Sequence, residues 1–588
     1  LDPVGAGFEP GLTVSNLLNS GGLEGSVPFY SEQHFQGSES LTYARGPHSL
    51  TFGANLEPVW ISAKTTFFSP GAAIFTPQSF FGAGPFDTAA FGPGTPVEFL
   101  FLEPKSYFGQ QIPQRTLPFQ TGLYAGPAAQ AFVNATDLHF LHTVSGFSAQ
   151  DRWKATSNLT LTLGLRYDID FLPSATDVRV TGKMIPTNDR NVQPRASLAY
   201  AFRQGKSVIR AGFGMFTGPF DYSDIMVTWQ GASAFTNLNQ PVLPQFRDPA
   251  DNLVGLGVSG IVGISGPQLA AQAFDNFSHH GIYPSPNGLL QFPLGYAERK
   301  FPNAYAEQAS LEIENELAKG FFVSAGYQFV YALKLPLYFS INGIPSGTSP
   351  TGIQLFTPAD NSFGFTLFAS PSGYSIYHAG SLSLRKPFAR HYSILGNYTY
   401  SKSIDLATDI QLTSPPMDYL RPQLDRALGD NDVRHRFVMT VLGESPDSWD
   451  SLFRNFKIAM SNTLQSPRYY TLFAGFDVNG DQFPFSDRVG NIGRNTYRGD
   501  PSYTTDIRIQ RAFLSDSRIR PEVSAEVFNL FNRQNVGAID TVYGAETFLG
   551  PMPRRFGDGV TSPQNPTFGT PSYAAPARQF QLSLRLNF

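Results

Sequence analysis

From Leu159 to Asp170 the chain alternates without a break. Leu159, Leu161, Leu163, Leu165, Tyr167 and Ile169 fall on one side, and Thr160, Thr162, Gly164, Arg166, Asp168 and Asp170 on the other, because successive side chains of an extended strand point to opposite faces. A strand with Arg and Asp on one face and Leu on the other must stand between water and an apolar medium. A soluble sandwich calls for shorter strands with less charge on each, whereas a wall with water inside and lipid outside calls for this pattern. The chain ends on the same period: Phe580, Leu582, Leu584, Leu586 and Phe588 oppose Gln581, Ser583, Arg585 and Asn587.

The pattern recurs in pairs joined by short turns. Strand-like runs at 38–44 and 48–61 flank Arg45-Gly46-Pro47, and 138–153 and 159–170 flank residues 154–158. Further pairs are 194–202 with 207–217, 305–317 with 321–335, 374–385 with 392–404, 433–442 with 456–473, and 505–513 with 520–531. Between pairs lie long stretches at about 62–137, 171–191, 219–303, 337–372, 406–431, 474–503 and 536–576, rich in Gly, Pro and Phe and without a period, so they read as loops. Short turns at one end and long loops at the other are how outer-membrane barrels separate their periplasmic and extracellular sides. The fold class is therefore all-β, a transmembrane antiparallel barrel. Residues 1–37 read as an irregular lead-in or extracellular loop, and 38–588 as barrel.

Counting gives about fifteen strands, an odd number where a closed bacterial barrel has an even one. With the last strand ending on the short-turn side, Leu1 falls on the long-loop side, so the barrel is expected to be incomplete at its front.

Composition agrees with this reading. Only 15% of residues are charged, against about 25% in ordinary soluble domains. Mean hydropathy is nevertheless −0.16, and no apolar run approaches the roughly 18 residues of a membrane helix. Fifty-five Gly, 46 Pro, 53 Phe and 25 Tyr describe a turn-rich, aromatic all-β chain. Cysteine is absent, which removes disulfides, thiolate zinc sites and cysteine nucleophiles. A net charge of −4 gives no reason to expect nucleic acid as a partner. The N-terminal Leu1-Asp2-Pro3-Val4-Gly5 carries neither an initiator Met nor a basic stretch followed by an apolar one, so the chain is expected to start downstream of whatever targeted it, after signal cleavage or as a fragment.

Several segments, in order, resemble the barrel of TonB-dependent outer-membrane receptors, of the Oar-like group with a carboxypeptidase-regulatory-like domain. They are Phe147 to Lys154 followed by Leu159 to Tyr167, Gln193-Pro194-Arg195 with Val208 to Gly214, Tyr398 to Asp405, Asp432 to Phe437, Gly490 to Thr496 and Glu526 to Asn532. Phe588 resembles the terminal signal read by the barrel-assembly machinery. The resemblance implies a 22-stranded barrel in outer-membrane lipid around an N-terminal plug, taking up a scarce extracellular nutrient with energy from TonB. No plug, TonB box or regulatory domain is found here, and about seven initial strands are missing relative to that pattern. TonB and the plug would enter through a region that precedes this chain. Surface adhesion or partner docking is one alternative reading, and a passive porin-like channel another.

Candidate site residues follow from the faces and loops. Arg434, Arg436, Arg508, Arg585, Glu312, Glu314 and Asp506 fall on the lumen face, either as a mutually paired hydrated wall or as a surface that guides substrate or seats the plug. Tyr327, Phe329, Tyr331, Tyr398 and Tyr400 suit the membrane interfaces. The loop aromatics Phe80, Phe81, Phe363, Phe365 and Phe368 form either an interaction surface or a lid. In the loop Asp477-Val478-Asn479-Gly480-Asp481, with Asp487 beyond it, alternate oxygens around a glycine turn can wrap Ca²⁺, although the closing Glu of an EF-hand is missing. The other reading is an ordinary solvated turn. No resident cofactor is expected otherwise. His279 and His280 are adjacent and isolated, and neither His-Glu-x-x-His nor Gly-x-Ser-x-Gly occurs, so no enzymatic activity is expected.

Overall fold

The computed structural model describes residues 29–64, 137–171, 188–219, 302–317, 320–340, 343–359, 367–389, 391–406 and 415–588, except 447, 476, 482, 484–485, 514–517, 557–564 and 566. It also places the short strands Gly11–Val14, Leu18–Ser20, Ala72–Pro77, Val97–Leu102 and Leu294–Tyr296.

Fifteen staves pair antiparallel with their neighbours in the chain. The first is bent, since Phe29–His34 and Gly37–Arg45 both pair with His48–Lys64. After His48–Lys64 come Asp137–Lys154, Leu159–Phe171, Asn188–Phe202, Ser207–Thr217, Tyr305–Glu316, Phe322–Ser340, Leu367–Ala389, Tyr392–Asp405, His435–Glu444, Phe456–Gln465, Ser502–Ala512, Arg520–Phe528 and Gln579–Asn587. The strand order is that of a barrel. Even so, among the described residues no register pairs Gln579–Asn587 with Phe29–His34 or Gly37–Arg45, so the wall is open along one seam. Both rims are exposed. Gly37–Arg45 is exposed on both faces, and Leu582 and Phe588 are 80% and 97% exposed. Among the described residues no helix is long and apolar enough to cross a membrane.

At one end the staves are joined tightly. Arg203, Gln204 and Gly205 all take left-handed φ values of 52°, 59° and 84° to reverse the chain, a conformation that polar residues and glycine tolerate best.

Residues directly opposite in a ladder share a face, so the registers carry one face across the wall. Thr160 opposes Ala199, which opposes Arg210, then Glu312, Gly326, Ser381, Thr399, Arg436, Gln465 and Ser502. From Ser502 the same face includes Asp506 and Arg508, opposite Glu526, then Gln581 and Arg585. The other face carries Leu163, Leu165, Leu311 and Leu382, each more than half exposed. An apolar surface running across so many strands is too large for a protein in water and has the form of a lipid-facing wall.

Three boundaries differ from the sequence reading. Part of the lead-in assigned to residues 1–37 is strand, because Phe29–His34 continues the ladder onto Val59 to Lys64. The stave from Leu367 begins seven residues before the expected 374 and pairs there with Leu337 to Ser340. The stave from Phe456 stops at Gln465 rather than 473, because the chain then leaves the wall for the folded region described next.

Candidate functional site: inner wall and folded cap

The middle of the polar face is floored by small side chains. Ser148, Gly164, Ser197, Gly212, Ser310 and Gly326 follow one another across neighbouring staves, each opposite or one pair from the next. The face is concave there, with Arg195, Gln150, Gln308 and Gln328 around the hollow. The Arg195 guanidinium stacks 4.4 Å from the Phe216 ring.

The seven luminal candidates are spread along the wall and do not converge on one point. Glu312 accepts from Arg210 at 3.1 Å, and Glu314 lies 3.9 Å from Arg385. Arg508 pairs with Glu526 at 3.3 Å, and Arg585 stands opposite Glu522 in register. Arg434 reaches Asp432 at 3.3 Å and lies 5.8 Å from the Tyr400 ring. Arg436 is exposed on the same face. Asp506 has a structural task, accepting from the Asn529 N–H at 2.8 Å where the chain leaves the wall. On the opposite face Tyr327 and Tyr398 place their hydroxyls 2.7 and 2.8 Å from Nδ1 of His378 and His435, so each of these two aromatics has a polar partner.

Phe80, Phe81, Phe363 and Phe365 lie outside the described residues. Phe368 sits in Leu367–Ala389, opposite Phe339 in register.

At the long-loop end, stretches that read as irregular are folded together. Residues 466–501 and 529–578 bury Leu472, Val489, Tyr497, Ile539, Tyr543 and Ala545 in a common core, with Phe548, Phe556 and Phe568 packed on it. Tyr543 meets Phe548 and Phe568 edge-on at 5.0 and 5.3 Å. Full burial of one such side chain contributes about 1.5–3 kcal/mol, enough in sum to order a turn-rich segment.

Arg488, which is buried, and Arg494, which is partly buried, fasten this cap to Asp405 and the segment that follows it. Arg488 grips both oxygens of Asp425 at 3.0 and 2.7 Å and donates to the Ile492 carbonyl. Arg494 pairs with Asp405 and donates to its carbonyl and to that of Asp425. Asn495, with a left-handed φ of 53°, donates to the Leu428 carbonyl and to Asp430. None of these partners was singled out from the sequence by role. Gly490 to Thr496, and Asp405 at the end of Tyr398 to Asp405, stand out in the sequence only as part of the resemblance, and Asp425 carries no local signal.

The Asp477 to Asp481 turn lies inside the cap, and the expectation of a solvated turn is corrected. Asn479 and Asp487 are 0% exposed and Asp481 is 3% exposed. Asn479 donates to the Met417 carbonyl at 2.7 Å, and its own carbonyl accepts from Phe356 N–H. Gly480, at φ 79°, lies so close to the Phe356 carbonyl that a Cβ would stand 2.5 Å from it. Burial pushes the Asp481 and Asp487 carboxyls well above the usual carboxylate range, and the nearby Asp477 charge adds to both shifts. Among the described residues no three His, Cys, Asp or Glu side chains already converge as a metal shell.

The profile of the outer membrane beta barrel domain family matches residues 2–486 and 476–581. The chain belongs to the outer membrane beta barrel domain family. No curated protein matches it by sequence. Solved structures that resemble it include the outer membrane transporter YddB from Escherichia coli, 12% identical, with 91% of this chain and 56% of that one covered and a TM-score of 0.44. A ferric enterobactin receptor (PfeA) mutant from Pseudomonas aeruginosa is 13% identical over 94% of this chain and 53% of its own, with a TM-score of 0.46. The siderophore receptor PirA from Acinetobacter baumannii is 13% identical over 94% and 54%, with a TM-score of 0.44. The chain thus spans about half the length of these structures. Its place is the outer membrane, which fits the apolar outer face and the polar inner one.

Proposed function

We propose that this chain is the wall and cap of an outer-membrane receptor that takes up a scarce nutrient with energy delivered through TonB, its cap and long loops facing outside the cell. The observation that most supports this reading is the inner face. A wall of this many strands encloses more space than its own side chains can fill, and here the face is floored by Gly and Ser and ringed by charges paired along the wall. Such a surface suits a second body, the plug, lying against it. An ordered cap above it suits capture of a solute, since loops held by a rigid scaffold commonly carry binding. Nothing in the reading requires enzymatic chemistry.

Reconstitution of the intact polypeptide that carries this chain in planar bilayers, with KCl as the probe, tests the reading against a passive channel. A membrane that stays closed at steady voltage is expected, together with crosslinking of the same polypeptide to TonB in cells. A steady open conductance without TonB contact would overturn it.

A further inference from the structure

The cap contains a carboxylate group that its own structure leaves incompletely partnered. Asp487 is fully buried. Its Oδ2 accepts from the backbone N–H groups of Val478 and Asn479, which fixes the carboxylate against the Asp477 to Asp481 turn. Among the described residues its Oδ1, which is buried, meets no hydrogen-bond partner, and the neighbouring Ser486 hydroxyl is in the same condition. Arg488, the next residue, is turned away to Asp425 and the Ile492 carbonyl. A buried carboxylate oxygen with no partner carries a large desolvation cost, and that cost falls when a cation binds it.

We propose that this turn binds one Ca²⁺, with Asp487, Asp481, Asp477 and the Asn479 amide oxygen as side-chain ligands and backbone carbonyls of the turn completing the shell. The carboxylates do not converge by themselves, so amide and carbonyl oxygens have to share the coordination. That mixture of six to eight oxygens in flexible geometry is what calcium accepts and magnesium does not. The turn is also where three segments meet: Asn479 bonds to Met417 and to Phe356, and the Gly343–Thr348 and Gln354–Pro358 hairpin rests on Gly480. An ion here would lock the 343–358 hairpin, the 415–432 segment and the 466–501 segment to one another. This inference stands on the cap alone and is independent of the transport reading.

Isothermal titration of the full chain in detergent with CaCl₂, after chelator treatment, tests it, with limited proteolysis of residues 343–501 as a second readout. One bound Ca²⁺ per chain is expected, with cleavage slowed at least tenfold on addition and Mg²⁺ a poor substitute. Asp487→Asn is expected to weaken binding at least tenfold. Should Asp487→Asn misfold, Asp477→Asn, at a less buried position, is expected to weaken binding while near-native circular dichroism is retained. Absence of Ca²⁺ binding at millimolar concentration, equal binding of Mg²⁺, or undiminished affinity in Asp477→Asn would each overturn the site.

Discussion

In the wall a residue's surroundings follow from whether its position is odd or even within its stave, whereas in the cap they follow from a partner tens of residues away. Leu163 faces the apolar side because Thr162 and Gly164 face the other. Arg488 is buried because Asp425, 63 positions earlier, meets it with both oxygens. The wall therefore tolerates change that keeps the alternation, and the cap tolerates little change at its fastening points.

The largest difference is expected for Arg488→Ala. The pair is 8% and 5% exposed, and its loss strands a buried carboxylate, a cost of about 3–5 kcal/mol. Proteolysis should open residues 466–501 in this variant while heat-modifiable migration of the wall stays unchanged. Loss of the wall along with the cap would show that the two regions are not separable. Next is Leu163→Arg, on the outer face, which should cost about 2–4 kcal/mol if the position lies near the bilayer midplane, with Thr162→Arg nearly neutral. Urea unfolding from lipid vesicles reads the difference, and equal costs would break the contrast between faces. The smallest effect is Arg210→Ala. Its pair with Glu312 is nearly half exposed on both sides, so screening by water holds the loss to about 0.2–1 kcal/mol. A larger loss by the same unfolding assay would mean that the inner wall is drier than its open face implies.

The wall was legible in the sequence because alternation is a local signal. The strict Leu and Thr/Arg/Asp sequence of 159–170 leaves one arrangement open, and the odd number of staves and their order follow from the turns between them. The cap was not legible, for a physical reason. Its turns have no period, and its order depends on Arg494 finding Asp405, 89 positions back, and on Tyr543 packing with Phe568. The Asp477 to Asp481 motif was visible as residue types, but its burial was not, since that depends on Met417 and Phe356 arriving from other loops. That the wall's charges share one face follows from local alternation, while their partners, such as Arg385 for Glu314, depend on register between strands distant in the chain.

The central claim is that the alternating segments are staves with lipid on one side and water on the other. Because the chain has no cysteine, single cysteines placed in turn at positions 160 to 169 can be spin-labelled without background and read in bilayers for collision with oxygen and with a water-soluble nickel chelate. Oxygen access should peak at 161, 163, 165, 167 and 169 and nickel access at the positions between them. Accessibility that changes smoothly along the segment, or favours water at every position, would contradict the wall.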